Sequence, residues 1–343
     1  MSHDDQTVAP PDGEADVVRE RRRLVSLAYR MTGTLADAED VVQETYTRWY
    51  RLTQPERDEI RSPAAWLTRA ASRIALDVLG SAKARREKQV GQWLPEPIPA
   101  DLFAGTGSAL DTAGEDPLDR VTLDDAVSTA LLMVLESMTP AGRVAFVLHD
   151  VFDTPFDEIA RLVGRSPEAA RQLASSARRH VRERRRTVVA SKTHDDVVRA
   201  FLAATRGGDM SLLMKTLAPE VELRADGGGV VRVAPNVVTG SDRVARFLLG
   251  VMKKQPELVF EERRTADGLG YALTLDGRLF GIASFHVEGE RITDVWLVLD
   301  PRKLSEWVTS DQAAPTAPSA SRRAAPSLPP RSTDARRRGM DDS

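Results

Sequence analysis

The pattern of hydrophobic and polar positions predicts a first helical block between residues 17 and 90. Apolar side chains recur there every three or four positions, which is the spacing of one helix face. Thr34 or Asp37 is a suitable N-cap for the second helix, and Ser62 followed by Pro63 predicts the start of the third. The segment 53–61 between them is predicted to be a polar loop. The three apolar stripes are Leu24, Leu27, Ala28 and Met31; Ala38, Val41, Val42, Thr45, Tyr46 and Trp49; and Trp66, Leu67, Ala70, Ile74 and Val78.

A second helical block is predicted over residues 119–187. Its first helix carries an apolar stripe from Leu123 and Val127 onward, and its second covers residues 140–152. A short helix then ends at Gly164, and a new one is capped by Ser166, which is the helix-turn-helix pattern. Between residues 165 and 186 there are eight Arg and two acidic residues. That charge indicates a nucleic-acid partner, and a solvated basic helix is the alternative.

From residue 193 to 308 the pattern changes to that of an α+β domain. Two helical segments come first, and short segments of alternating polarity follow. The pairs Asp276-Gly277 and Glu288-Gly289 separate some of these segments and favour hairpins. The predicted strand segments are 221–225, 230–235, 258–264, 270–277, 278–289 and 291–300.

A linker, residues 91–118, separates the two helical blocks and begins with the sequence GQWLPEPIPA. Prolines at alternate positions predict a stiff, extended strap, and Trp93 and Leu94 are its candidate anchors. We expect the strap to dock on the α+β domain near its glycine-rich loop, where another backbone can approach closely. Residues 1–15 and 309–343 are predicted to be disordered because they offer little to bury.

Composition narrows the function classes. The chain has no Cys, so it forms no disulfide and no thiolate metal site, and its five His show no ligand spacing. We therefore expect neither a metal nor a cofactor. No apolar run approaches the twenty residues of a membrane span, and the N-terminus lacks a signal-peptide core, so we expect no membrane partner and a cytoplasmic location.

Several motifs, in order, resemble those of bacterial extracytoplasmic-function (ECF) sigma factors of the sigma-70 family. Residues 27–52 resemble sigma region 2, residues 65–79 the −10 recognition helix, and residues 138–183 sigma region 4. One group of these factors has a WLPEP linker and a fused SnoaL-like domain with DGGG and NPDKL-like segments. Here these are residues 93–97, 226–229 and 300–304, with DPRKL in place of NPDKL and Val230 where a Lys usually follows the glycines.

The resemblance implies a multidomain fold with two all-α sigma domains, the second with a helix-turn-helix, followed by an α+β SnoaL-like cone domain and a disordered tail. It assigns residues 16–90 to region 2, 119–187 to region 4 and 193–308 to the third domain. It also implies two surfaces on promoter DNA, because Arg, Gln, Glu and small side chains can read base edges and further Arg can bind phosphate. For the −35 duplex these are Arg165, Ser166, Glu168, Ala169, Arg171, Gln172, Ser175, Arg178 and Arg179, with Arg182 also on phosphate; for the melted −10 strand they are Arg61, Ser62, Arg69 and Arg73.

Two further sets of residues follow from the resemblance. The acidic face of the second helix is expected on the clamp of the largest subunit of core RNA polymerase, and dipole complementation at a helix start is the alternative. The strap and two segments of the third domain are expected to form an interdomain regulatory contact. The first set is Asp37, Asp40, Gln43 and Glu44; the second is Trp93, Leu94, Pro95, Glu96, Pro97, Asp226, Gly227, Gly228, Gly229, Asp300, Pro301, Lys303 and Leu304.

The function implied is that of an alternative sigma factor that is not itself an enzyme and is regulated in cis by its third domain. A DNA-tethered SnoaL-like enzyme or a small-molecule-sensing regulator is the alternative, and a small-molecule ligand of the third domain is a further candidate partner. His286 and Asp294 are polar residues within apolar strands, and no matched acid–base pair stands out. An open cavity with a convergent His or Asp pair would favour the enzyme.

Overall fold

The computed structural model describes residues 12–86, 92–103, 128–184 and 191–308. The two chain ends, the later part of the linker and residues 119–127 of the second block's predicted first helix lie outside these residues. Of the N-terminal stretch predicted as disordered, residues 12–15 belong to the first helix. That part of the prediction is therefore wrong.

The first helical block contains four helices: α1 (Asp12–Thr32), α2 (Leu35–Arg51), α3 (Gln54–Asp58) and α4 (Pro63–Arg86). Thr34 caps α2 by accepting a hydrogen bond from the Asp37 N–H, which settles the choice between the two candidate caps. Ser62 Oγ accepts from the Ala65 N–H at the start of α4. The segment predicted as a polar loop contains α3, which the reciprocal bonds of Thr53 and Glu56 nucleate.

The second helical block contains α5 (Thr129–Glu136), α6 (Pro140–Phe146), a π-helical turn (Val147–Val151), α7 (Phe156–Val163) and α8 (Pro167–Arg184). Gly164 ends α7 in the left-handed conformation, with φ of 65°. Ser166 Oγ accepts from the Ala169 N–H, so α8 begins where the sequence predicts. The helix-turn-helix is thus present as α7 and α8.

The third domain begins with α9 (Ser191–Gly207) and α10 (Met210–Thr216). Its sheet has the order β2-β1-β6-β5-β4-β3, in which β1 and β6 are parallel and the other neighbours antiparallel. The strands are β1 (Leu217–Asp226), β2 (Val238–Thr239), β3 (Val259–Thr265), β4 (Gly268–Leu275), β5 (Arg278–Glu288) and β6 (Arg291–Val298). Helix α11 (Ser241–Lys254) crosses between β2 and β3.

Two features of the third domain differ from the sequence prediction. Residues 230–235 form a loop and not a strand, because they lie beside the tight turn that follows Asp226 and pair with no neighbouring strand. Helix α11 was not predicted, although it presents a clear apolar face to the sheet: Val244 and Ala245 are fully buried.

The two helical blocks share one hydrophobic core. Leu24 and Met31 of the first block lie in the same cluster as Val144 and Phe146 of the second. The buried Arg143 of α6 bonds the Met31 carbonyl oxygen, satisfying the C-terminal end of α1 across the boundary. The predicted DNA-binding blocks are therefore packed directly on each other.

Candidate promoter interface and interdomain junction

Helix α8 has one buried seam of small residues and one exposed polar face. Ala170, Ala174, Ala177 and Val181 form the seam and let α8 pack closely on the block. Arg171 is held in place, because its guanidinium lies 5.6 Å from the Phe156 ring centre and 3.7 Å from the Glu168 carboxylate. Of the predicted −35 residues, Ala169 and Arg178 are half-buried, and the exposed ones are Arg165, Ser166, Glu168, Arg171, Gln172, Ser175 and Arg179, together with Arg182.

Arg178 differs from the other predicted phosphate-binding residues. Its guanidinium forms an ion pair with Asp150 of the π-helical turn, and that carboxylate is largely buried. A phosphate would have to share or replace this partner. The structure therefore places Arg178 as a brace between α8 and the preceding turn.

The predicted −10 residues do not form a single open surface. Arg61 and Ser62 are exposed at the start of α4, where the Ser62 hydroxyl is already used in capping. Arg69 is half-buried nearly two turns into the helix. Arg73 Nη1 donates to the carbonyl oxygen of Leu162 at 3.3 Å, so this candidate contacts the end of α7 in the second block.

The acidic face of α2 is solvent-accessible at Asp40 and Gln43. Asp37 Oδ2 accepts from the Thr34 hydroxyl at 2.9 Å, and Glu44 pairs with Arg48 one turn later at 2.8 Å. Tyr50, which the sequence reasoning passed over, is 51% exposed beside this face. The predicted apolar stripe of α2 already separates it from Trp49, its buried neighbour in the chain.

The strap lies between the first helical block and the third domain. On the third-domain side, the Leu94 N–H donates to Asp226 Oδ2 at 3.0 Å, and Lys303 Nζ donates to the Leu94 carbonyl at 2.6 Å. Trp307 Nε1 donates to the Pro97 carbonyl at 2.8 Å. Beyond Pro97 the strap adds to the edge of the sheet: the Ala266 N–H donates to Ile98 and the Ala100 N–H to Arg264.

On the other side, the strap is bonded to the corner between α1 and α2. Glu96 makes three contacts there: its N–H donates to the Gly33 carbonyl, its carbonyl accepts from the Tyr29 hydroxyl at 2.6 Å, and its carboxylate accepts from the Leu35 N–H at 2.7 Å. Burial raises the pKa of the Glu96 carboxyl to about 7, against the opposing effects of the Leu35 N–H and the Lys303 ammonium. The strap thus joins two domains through its own backbone.

Trp93 fills the space between these domains. Lys303 Nζ lies 4.5 Å from the centre of the indole ring, and the other edge of the ring lies against Gly33. A Cβ at Gly33 would come within 2.7 Å of the ring carbon Cη2. The first block therefore needs a glycine at this position for the ring to fit.

The DGGG loop and the DPRKL segment form one buried polar cluster below the strap. Asp226 is completely buried; it accepts from Lys303 Nζ at 2.7 Å and from the Gly228 N–H at 2.9 Å. Asp300 lies against Gly228, where a Cβ would meet its carboxyl carbon at 2.2 Å. Arg302, in the DPRKL segment, binds Asp300 and also donates to the Gly228 carbonyl. Burial alone would raise the pKa of Asp300, but the hydrogen bonds and charge of Arg302 outweigh burial and lower it.

A second junction joins the third domain to the second helical block, and the sequence did not predict it. Asp267, in the β3–β4 turn, accepts from the Thr129 N–H at 2.7 Å and from the Thr129 hydroxyl at 2.6 Å, at the N-terminus of α5. Burial raises the pKa of the Asp267 carboxyl to about 6 despite these bonds. Ala130 and Met133 of α5 pack with Leu94 on the outer face of the sheet.

His286 and Asp294 do not converge on a cavity. They are cross-strand partners on β5 and β6. By the alternation of side chains along the strands they lie on the same face of the sheet as Trp296, which packs on the outer face under the strap. The cavity of the third domain lies on the opposite face. Within the described ranges no group of three His, Cys, Asp or Glu suits a metal ion, and no described helix is long and apolar enough to cross a membrane.

Comparison with known proteins identifies the two helical blocks. The sigma-70 region 2 family matches residues 17–85, and the sigma-70 region 4 family matches residues 128–181. The chain is thus built on the two domains of a sigma factor. An ECF RNA polymerase sigma factor is 38% identical to it over 84% of this chain, so the chain belongs to the ECF group of the sigma-70 family. It is an alternative sigma factor that directs transcription, with core polymerase and promoter DNA as the partners of regions 2 and 4.

Relatives of similar architecture extend this match to most of the chain. The ECF RNA polymerase sigma factor SigJ of Mycobacterium tuberculosis is 38% identical over 84% of this chain and 88% of its own. The probable ECF sigma factor SigI of the same species is 35% identical over 83% of this chain and 92% of its own. The crystal structure of SigJ superposes with a TM-score of 0.63 at 33% identity, covering 85% of this chain and 98% of that one. The predicted order of two helical sigma domains and a helix-and-sheet domain is confirmed.

Proposed function

We propose that the described arrangement is a closed, resting state of this sigma factor, held by the third domain, and that promoter binding requires the two helical blocks to separate. The −35 and −10 elements are centred about 25 base pairs apart, as their numbers indicate. That separation is about 85 Å of duplex at about 3.4 Å per base pair. Two blocks that share one core do not span that distance.

The observation that carries the proposal is the contact of Arg73 with Leu162. A residue proposed for the −10 strand here bonds the helix that precedes the recognition helix. The same closure is supported by Arg143, which bonds the end of α1 from within the second block. The −10 surface and the −35 surface therefore do not act independently in this state.

The third domain contacts both blocks and so holds them together in the closed arrangement. It reaches the first block through the strap, by Asp226, Lys303 and Trp307, and the second block through Asp267. Regulation in cis then consists of changing the balance between closed and open states. The residues that hold the closed arrangement are the interdomain set predicted from the sequence, with Asp267, Thr129 and Trp307 added.

In the open state, we assign the exposed face of α8 to base edges of the −35 duplex and the start of α4 to the melted −10 strand. The acidic face of α2, together with Tyr50, is assigned to the polymerase clamp. The third domain is assigned no catalysis, because its acid–base candidates lie on the outer face and away from the cavity. The site of action is the cytoplasm, where the polymerase works.

A distance measurement between the blocks tests the closed state. The chain contains no Cys, so Glu59→Cys, directly after α3, and Ser176→Cys, in α8, give two specific labelling sites for energy transfer. Asp267→Ala should shift the labelled protein towards low energy-transfer efficiency. The substitution removes the two hydrogen bonds that the Asp267 carboxylate accepts from Thr129, and a hydrogen bond to a charged group is worth about 1.5–3 kcal/mol. Glu257→Ala, at an exposed carboxylate of the same domain, is the matched control.

Core polymerase with promoter DNA should give the same low-transfer state. Unchanged transfer in that complex would show that the closed arrangement is the active one. A shift with Glu257→Ala equal to that with Asp267→Ala would show that the junction at Thr129 does not hold the blocks.

A further inference from the structure

The inner face of the third domain's sheet encloses a cavity that the promoter and polymerase functions do not use. It lies between this face, α9 and α11, and its volume is about 70 Å³. That is about half the volume of an engineered apolar cavity that binds benzene. Representative lining residues are Phe201, Phe247, Leu273, Phe285 and Leu297.

The cavity wall is almost entirely hydrocarbon and aromatic. Its lining contains no Asp, Glu or His, and Tyr271 is its one residue of a type used in general acid–base catalysis. Tyr271 contributes the side of its ring, edge-on to Phe285 at 6.3 Å. Arg232, on the exposed loop after the glycines, is the one charged residue of the lining. Such a wall favours an uncharged, apolar occupant.

One polar group in the wall lacks a partner. Gln255 follows α11 directly, is 9% exposed, and its Oε1 is buried without a hydrogen-bond partner among the described residues. Thr205, another polar residue of the lining, donates its hydroxyl to the Phe201 carbonyl at 2.8 Å and is satisfied. A buried amide oxygen without a donor is unfavourable, and a bound hydroxyl or N–H would relieve it.

We propose that this cavity is a binding site for a small, uncharged, largely apolar molecule that donates one hydrogen bond to Gln255. The walls supply affinity through burial, and the amide fixes the donor end of the ligand. The site lies on the opposite face of the sheet from the strap. The proposal therefore goes beyond the closed state and does not depend on it.

The test uses the full chain and short n-alkanols from ethanol to 1-butanol, with the matched n-alkanes and n-alkanoates as comparison. Binding is followed by calorimetry and by the methyl resonances of Leu202, Val251 and Leu273, which line the cavity. We expect saturable binding of an alkanol, with weaker binding of the alkane and of the alkanoate of equal length. Gln255→Leu should weaken alkanol binding about fivefold, the equivalent of one ordinary hydrogen bond, and leave alkane binding no weaker.

Two graded substitutions keep the test decisive if one variant does not fold. Ala283 lines the cavity, and Ala283→Val followed by Ala283→Leu should reduce and then abolish binding as the space fills. Gln54→Leu, the same change on an exposed helix of the first block, should leave binding unaltered. The proposal is overturned by non-saturable binding, by wild-type affinity in Ala283→Leu or in Gln255→Leu, or by alkanoates that bind more tightly than alkanols through Arg232.

Discussion

Gly33 is the residue at which the first helical block admits the strap. Its φ of +79° is unfavourable for residues with a Cβ, and its missing side chain leaves room for the Trp93 ring. Gly80, in α4, differs on both counts: it is helical, and nothing lies within 4 Å of where its Cβ would be.

These two glycines should respond to alanine in opposite directions. Gly33→Ala should lower the free energy of unfolding by roughly 1–3 kcal/mol, because backbone strain and the clash with Trp93 act together. Gly80→Ala should raise it by up to about 1 kcal/mol through helix propensity. Urea unfolding of both variants measures this. Equal stability of the Gly33 variant and the parent would mean that the ring does not need this space.

Glu96 makes the strap sensitive to pH. Its pKa is raised from 4.5 to about 7, so between these values the folded protein binds more protons than the unfolded chain. The corresponding stability is fully present below about pH 4.5 and is lost as the pH rises through 7. At about 1.4 kcal/mol per pKa unit, this amounts to about 3 kcal/mol. Asp267, with its pKa raised from 3.8 to about 6, contributes with the same sign.

Glu96→Gln should therefore flatten the dependence of unfolding free energy on pH between 5 and 7. Glutamine resembles the protonated carboxyl and can still accept from the Leu35 N–H. The variant should be more stable than the parent at pH 8. Denaturant unfolding at three pH values measures the slope, with Glu257→Gln as an exposed control. A parent-like slope in Glu96→Gln would show that this carboxyl does not titrate in that range.

At the scale of elements, α8 combines a seam of alanines with a face of longer polar side chains. The seam places the helix axis close to the block, and Ser166 fixes where the helix starts. The first turns then project Arg171 and Gln172 outward, as in a recognition helix whose N-terminal residues read base edges. Position in the helix thus separates base-reading residues from Arg178, which braces the fold through Asp150.

Arg171→Ala combined with Gln172→Ala should abolish the preference for promoter over non-specific DNA. Each lost base contact should cost about 1–3 kcal/mol, while binding to core polymerase is retained because the surface proposed for it lies on α2. Footprinting and the ratio of the two DNA affinities measure this. Arg161→Ala on α7 is the control and should leave the ratio unchanged. An intact −35 footprint in the double variant would contradict the role assigned to α8.

At the scale of the whole molecule, we propose that the third domain holds the closed state through two attachments, the strap and the Asp267–Thr129 pair. Different carboxylates of the third domain bond them, Asp226 at the strap and Asp267 at Thr129. If opening is one two-state step, loosening either attachment raises the fraction of protein competent for DNA, and apparent affinity rises in proportion. The indole of Trp93 belongs to the first attachment and the carboxylate of Asp267 to the second.

Trp93→Ala and Asp267→Ala should therefore each increase promoter affinity of the polymerase complex, and their fold-changes should multiply in the double variant. The increase continues only until the open state predominates. Glu257→Ala, the control, should leave promoter affinity unchanged, both by itself and when added to the other variants. A double variant no different from Trp93→Ala alone would show that the strap must open before the second attachment matters.

The sequence by itself determined the elements whose signals are local. Ser62-Pro63, Gly164 and Ser166-Pro167 act through their own backbone and nearest neighbours, so the starts of α4 and α8 and the end of α7 could be read directly. The order of motifs likewise determined the family. Local reasoning was wrong at residues 230–235 and overlooked α11, because an alternating or apolar segment becomes strand or helix only through what it packs against.

Only the tertiary structure decided what the domains do to one another. Arg73 and Arg178 have the same chemistry as the other arginines predicted to bind DNA, and nothing in the sequence says that Leu162 and Asp150 lie within reach. Asp267 and Thr129 are 138 residues apart in the chain, yet together they fix α5 to the sheet. Contacts of this range depend on the packing of whole domains, and a side chain's partners are set by that packing and not by its type.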